Sequence, residues 1–146
     1  MRALALIPTL LLTACVQAAP VSPAAGPGAS DAAPSEAGRI FAAMCLDTLP
    51  TLDGAEAAAA RFALTQNANT GTYYHNTQNL SFKLTGNQCS MVAATSSPDP
   101  TDFIVQTMTA ADAAMAPSDA RPDVSVSGAQ GPDGKFYLNA RTTASK

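Results

Sequence analysis

The most reactive side chains in this sequence belong to three cysteines, Cys15, Cys45 and Cys89, and to one histidine, His75. A cysteine thiolate beside a histidine base would make a thiol enzyme, and His75 acting on a hydroxyl or on water would make a hydrolase. The sequence contains no GxSxG, SxxK, P-loop, GxGxxG, HExxH or paired CxxC motif. An enzyme that uses Cys89 or His75 is therefore an interpretation that no motif supports.

Tyr73, Tyr74 and His75 form the one cluster of polar aromatic residues and are a candidate binding surface for a sugar or a peptide. The structural alternative is a strand end that leads into a turn, where these residue types are common. Asp47, Asp53 and Glu56 are acidic neighbours, but their spacing fits no EF-hand calcium loop. We therefore expect neither a metal nor a cofactor.

The N-terminus has the pattern of an export signal. Arg2 precedes the apolar run Ala3 to Leu12, which is too short to span a bilayer. The next residues, Leu12-Thr13-Ala14-Cys15, resemble the lipobox of bacterial lipoproteins. The resemblance implies a signal peptide over residues 1–14, cleavage before Cys15, and attachment of lipid, including acyl chains such as palmitate, to Cys15.

The same resemblance implies a location in the cell envelope. Several acyl chains hold a protein on a membrane far more firmly than one chain does. Val16 after the cysteine implies the outer membrane, with the folded domain in the periplasm. The alternative is cleavage after Ala18, which would leave a soluble periplasmic protein.

Composition separates a tether from one small domain. The chain has 146 residues and a net charge of −3, with few and scattered basic residues, so we expect no binding to nucleic acid. Between Ala18 and Pro34 it consists mainly of Ala, Pro, Gly and Ser, with Asp31 as the only charge. We predict a lipidated, disordered tether over residues 15–34 and a single domain over residues 35–146.

Cys45 and Cys89 are predicted to form a disulfide. Once Cys15 is lipidated or removed, they are the two cysteines left in an exported protein. Cys45 lies on the apolar stripe of a predicted helix, and Cys89 lies on the apolar face of a predicted strand. Because large apolar residues are few, this crosslink would supply much of the stability of the domain.

Three helices are predicted. The first runs from an N-cap at Ser35 to about Leu46. The second, residues 54–64, starts at a capping box formed by Asp53 and Glu56. The third has Asp99 as its N-cap and extends to Pro117.

The third helix is predicted to pack through one apolar stripe. Its residues recur at helical spacing and are Ile104, Met108, Ala111 and Met115. A strand over Phe103 to Met108 is the alternative for part of this segment.

The strands are predicted from residues that alternate in polarity. A hairpin turn at Gly86-Asn87 pairs Leu84 with Cys89 and Phe82 with Met91. Thr72 to His75 adds a further strand, and residues 123–127 and 135–142 form a second hairpin.

The element order predicts an α+β fold: an antiparallel sheet of about five strands with two or three helices packed on one face, and one disulfide. The expected function is that of a non-enzymatic envelope lipoprotein with a binding or interaction domain. Its expected partners are the membrane, through the lipid, and another envelope protein.

Overall fold

The computed structural model describes residues 29–115 and 123–143. The predicted signal peptide, the lipobox Leu12 to Cys15 and the tether up to residue 28 lie outside the described residues. Residues 29–33, which we assigned to the tether, contact the domain. Ala32 is buried, its N–H donates to the carbonyl of Ala94, and the Asp31 carboxylate accepts a hydrogen bond from the N–H of Ser96 at 2.8 Å. The domain therefore includes these residues.

The described helices are α1 (Pro34–Phe41), a π-helical segment (Ala42–Leu46), α2 (Ala55–Arg61) and α3 (Pro100–Ala114). The strands are β1 (Leu64–Gln66), β2 (Thr72–His75), β3 (Leu80–Thr85), β4 (Gln88–Ala93), β5 (Val124–Gln130) and β6 (Phe136–Thr142). The predicted α+β class is confirmed, and β1 is an additional strand that the sequence pattern did not indicate.

The six strands form one antiparallel sheet in the order β1-β2-β3-β4-β6-β5. The predicted β3–β4 register is confirmed, with Leu84 opposite Cys89 and Phe82 opposite Met91. Alternation fixes this register because a slip of one residue would turn every apolar side chain to the other face. The hairpin of β5 and β6 is also confirmed.

The core lies between one face of the sheet and the helices. The Phe103 ring of α3 packs on the Phe136 ring of β6, with centroids 4.6 Å apart, and both residues are buried. The predicted disulfide is confirmed and joins the π-helical segment to β4, with 5.3 Å between the Cα atoms of Cys45 and Cys89. This separation is typical of a disulfide.

Two predicted helix caps are wrong. The N-cap of α1 is Ala33, so Ser35 lies inside the helix, because Pro34 is already suited to the first helical position. The N-cap of α2 is Gly54 at φ +84°, and no side chain caps this helix. Asp53 and Glu56 therefore form no capping box. The predicted cap of α3 is confirmed: the Asp99 carboxylate accepts hydrogen bonds from the N–H groups of Thr101 and Asp102.

The predicted stripe of α3 is confirmed in part: Ala111 is fully buried, and Ile104, Met108 and Met115 pack partly buried against the core, but Phe103 and Thr107 are buried in addition. The difference arises from α1, whose Gly38 admits the backbone of α3 so closely that a Cβ there would lie 2.3 Å from the Thr107 carbonyl oxygen. Thr107, Ala110 and Ala111 of α3 therefore lie against α1.

Candidate binding surface

Tyr73, Tyr74 and His75 lie in β2, but they do not share one surface. Tyr73 is only 7% exposed and faces the core opposite Phe82 of β3. Tyr74 lies opposite Ser81 and faces the other side of the sheet, because neighbouring strand residues point to opposite faces. Of the two tyrosines, Tyr74 is the one on the side of the sheet away from the helices.

His75 holds the turn between β2 and β3. Its Nδ1 accepts hydrogen bonds from the backbone N–H groups of Thr77 at 3.2 Å and Gln78 at 3.1 Å. Partial burial lowers the pKa of His75 below its ordinary value, which favours the neutral ring. An accepting Nδ1 requires that neutral form. The contacts of His75 therefore match those of a turn residue.

The sulfur chemistry is that of a structural crosslink. Cys45 and Cys89 are bonded to each other, and both are fully buried. A nucleophilic cysteine must be a free thiolate that substrate can reach. While the disulfide is intact, Cys89 offers no such nucleophile.

Acidic residues form no metal cluster in the described part of the chain. No group of three or more His, Cys, Asp or Glu side chains is close enough there to hold an ion. A depression of about 440 Å³ at one end of the sheet contains two carboxylates, Asp47 and Asp123, beside the apolar residues Leu49 and Val124.

We call the surface of the sheet that faces away from the helices the open face. Its residues come from all six strands and are Thr65, Thr72, Tyr74, Ser81, Lys83, Thr85, Gln88, Ser90, Val92, Ser125, Ser127, Ala129, Tyr137, Asn139 and Arg141. It contains no aspartate or glutamate, although the chain as a whole has a net charge of −3. Lys83 and Arg141 make the open face positively charged.

A depression of about 290 Å³ lies on the open face where β4, β6 and β5 meet. Ser90 Oγ donates to Asn139 Oδ1 at 2.7 Å, and Gln88 Nε2 donates to Ser90 Oγ at 3.1 Å. The lining also includes Arg141 and Ser127. Because hydrogen bonds already hold several of these side chains in place, ordering them on binding costs little entropy.

Tyr137 lies on the open face near its edge. Its hydroxyl donates to Asp133 at 2.9 Å, and the Lys135 ammonium lies 3.4 Å from the same carboxylate. Desolvation raises the pKa of Asp133, but the hydrogen bonds from Tyr137 and Lys135 outweigh it and hold this pKa below its ordinary value. The hydrogen bond to Asp133 in turn raises the pKa of Tyr137. The phenol therefore stays neutral and fixed at ordinary pH.

No motif in the sequence marks Asn139, Arg141 or Tyr137 as candidate site residues. The sequence shows that they alternate with Phe136 and Leu138 and so share one face of a strand. It does not show that β6 pairs with β4, and this pairing is what places them beside Gln88 and Ser90.

No family model, curated protein or solved structure matches this chain. In the described residues, none of the helices has the length and apolar character that crossing a bilayer requires.

Proposed function

We propose that this chain is a lipid-anchored protein of the bacterial cell envelope whose disulfide-linked domain binds another envelope component through the open face. In this proposal the protein is not an enzyme. The lipid anchor is Cys15, the location is the periplasmic side of the outer membrane, and the tether before the domain separates the domain from the lipid surface.

The observation that carries the binding proposal is the chemistry of the open face. One large sheet surface combines hydroxyl and amide side chains with two cations, Lys83 and Arg141, and none of its strand residues is an aspartate or a glutamate. The nearby Asp133 carboxylate, at the edge of this face, is paired with Tyr137 and Lys135. Guanidinium and amide groups form strong hydrogen bonds with anionic oxygen atoms, and hydroxyl groups add weaker ones. The ligand is accordingly a surface rich in hydroxyl and carboxylate or phosphate groups.

The disulfide supports the proposed compartment. Structural disulfides persist in oxidising compartments such as the periplasm and are rare in the cytosol. A buried Cys45–Cys89 bond is what an exported domain with a small core requires.

The anchor is tested by replacing the lipidated residue. In cells supplied with labelled fatty acid, the native chain should become labelled and remain with the membrane fraction. Cys15→Ser should abolish the label and leave the chain unprocessed or soluble, while Ser22→Ala, which leaves the lipobox intact, should not. A native chain that is unlabelled, soluble and starts at Ala19 would contradict the anchor.

The open face is tested by crosslinking in intact cells. A photoreactive side chain at Thr85, which is exposed on the open face, should give an adduct with an envelope component, whereas one at Ala113, exposed on α3, should not. Arg141→Glu should greatly reduce the adduct from position 85. Equal adducts from both positions, or no effect of Arg141→Glu, would show that the ligand binds elsewhere.

A further inference from the structure

The two edges of the sheet differ in length and in their capacity to accept another strand. The edge strand β1 has three residues, and short edge strands protect a sheet from unwanted pairing. The opposite edge, β5, has seven residues, Val-Ser-Val-Ser-Gly-Ala-Gln, without a charge or a proline. Among the described residues no strand other than β6 pairs with β5.

The hydrogen bonds of the hairpin show which groups of β5 face outward. Asp123 and Gly131 flank β5, and they bond to the residues that flank β6: the Thr143 N–H donates to the Asp123 carbonyl, and the Gly131 N–H donates to the Lys135 carbonyl. Antiparallel strands alternate between residues that bond to one neighbour and residues that bond to the other side. The backbone groups of the even-numbered residues therefore point away from β6; these residues are Val124, Val126, Gly128 and Gln130.

We propose that β5 is a homodimerisation edge, at which a second copy of this chain adds its own β5 in antiparallel orientation about a two-fold axis at Ser127. This register places Val126 opposite the partner copy's Gly128, and Val124 opposite Gln130. Every outward-facing residue then meets another outward-facing residue, which gives about eight backbone hydrogen bonds. The proposal does not depend on the lipid anchor or on the ligand of the open face.

The side chains of β5 are complementary to a second copy of the same strand. On the core side of the joined sheet, Val126 of each copy lies opposite Gly128 of the other copy. A large residue therefore faces a small one on both sides of the two-fold axis. Ser127 meets Ser127 and Ser125 meets Ala129 on the open face, and no charge lies on the strand to repel its copy. An unrelated strand would have no reason to match this order of residues.

Helix α3 provides apolar surface beside the same edge. Ile104 covers Gly128, where an added Cβ would lie 3.3 Å from the Ile104 Cγ2 atom, and Met108 follows one turn later, only partly buried. Val105, 55% exposed, is the exposed large apolar residue of the described domain and is the next residue on this helix. A two-fold axis through Ser127 would place both α3 helices on the same side of the joined sheet, where these side chains become covered.

The test is site-directed crosslinking of the full-length chain in its native membrane. In this register residue 127 of each copy forms a non-hydrogen-bonded pair, with Cα atoms about 4.5 Å apart, within the range of a disulfide. Ser127→Cys should give a covalent dimer on mild oxidation. Ser125→Cys and Ala129→Cys are matched controls, because their own copies would lie roughly 13 Å apart along the strand and should give about tenfold less dimer.

Mixing the two control variants gives a second, independent result. Cysteines at residues 125 and 129 of different copies lie opposite each other, so co-expression of Ser125→Cys with Ala129→Cys should produce a crosslinked heterodimer. Adding Ser127→Lys to both should abolish it, because two lysines would face each other at the axis. The circular dichroism spectrum should stay that of the native fold, since Ser127 is exposed in the monomer. The melting temperature should fall only by the amount that association contributes.

The proposal fails if Ser127→Cys gives no covalent dimer, or if residues 125, 127 and 129 crosslink to their own copies equally. An adduct of Ser127→Cys with a different protein would also overturn it, because that result would assign the edge to another partner. The unmodified chain under the same oxidation provides the background from the native cysteines.

Discussion

Gly38 of α1 and Thr107 of α3 mark the closest approach of the two helices. A Cβ on Gly38 would lie 2.3 Å from the Thr107 carbonyl oxygen and 2.7 Å from Ala110 Cβ. Both residues are buried, and the contact on the α3 side is mostly backbone, which has little freedom to move away. This crossing determines how α3 covers the sheet.

Gly38→Ala should therefore destabilise the domain, although alanine is normally the better helix residue. Overpacking of this kind costs about 1–3 kcal/mol, more than the gain of roughly 1 kcal/mol in helix propensity. Chemical denaturation measures the difference. The control is Gly128→Ala, where the new methyl meets side chains rather than backbone, with Ile104 Cγ2 nearest at 3.3 Å, so the loss should be smaller. A Gly38→Ala variant more stable than the native chain would disprove the tight crossing.

The buried hydroxyl of Thr107 makes no hydrogen bond, so replacing it should not destabilise the domain. Thr107 is fully buried and its Oγ1 has no partner, whereas the buried Thr48 Oγ1 donates to the Met44 carbonyl at 2.6 Å. Thr107→Val should raise the free energy of unfolding by about 1 kcal/mol, because an unsatisfied buried polar group is removed.

Thr48→Val is the matched control for this prediction. It should lower the free energy of unfolding by about 1 kcal/mol, because a made hydrogen bond is lost. Denaturation curves of the two variants should thus shift in opposite directions. Shifts of the same sign would mean that the two hydroxyls are not in the environments described above.

The pKa of His75 should lie below its ordinary value of 6.5, because burial disfavours the charged ring. The unfolded chain then binds a proton at higher pH than the folded chain does. Stability should accordingly be complete above pH 6.5 and should decrease as the pH falls below it. Because His75 is the only histidine, a single NMR titration measures this pKa.

The variant His75→Gln should flatten the dependence of stability on pH between about pH 5 and 7, where other side chains titrate little. A native His75 pKa at or above 6.5 would contradict the account of the turn, since a protonated ring has no acceptor for the N–H groups of Thr77 and Gln78.

The disulfide should account for a large part of the stability. Its two cysteines are separated by 44 residues, and closing a loop of that size stabilises a fold by about 4 kcal/mol in the loop-entropy model. Reduction should therefore lower Tm strongly. Cys45→Ala, Cys89→Ala and the double variant should be about equally stable, because each removes the same crosslink. A double variant much less stable than either single one would mean that the cysteines act separately.

The sequence predicted the hairpin of β3 and β4 to the residue because polarity alternates on both strands around Gly86-Asn87. It predicted the disulfide because the helix and the strand each place one cysteine on an apolar face. These features depend on local periodicity, which is fully contained in neighbouring residues.

The missed features depend on packing between distant segments. β1 is three residues long and has too few positions to show alternation. The pairing of β4 with β6, which builds the depression around Asn139, depends on chain topology. The buried face of α3 depends on the close contact with Gly38, and so it departs from the stripe that Ile104 and Met108 suggested.

The central claim is that the bond between Cys45 and Cys89 holds the domain together. Its most direct test is to count free thiols in the full-length protein, purified from its native cells and denatured without reductant. We expect no free thiol at either residue, and proteolysis should release a disulfide-linked pair of peptides that contain Cys45 and Cys89. A reactive thiol at Cys89 in that protein would contradict the claim.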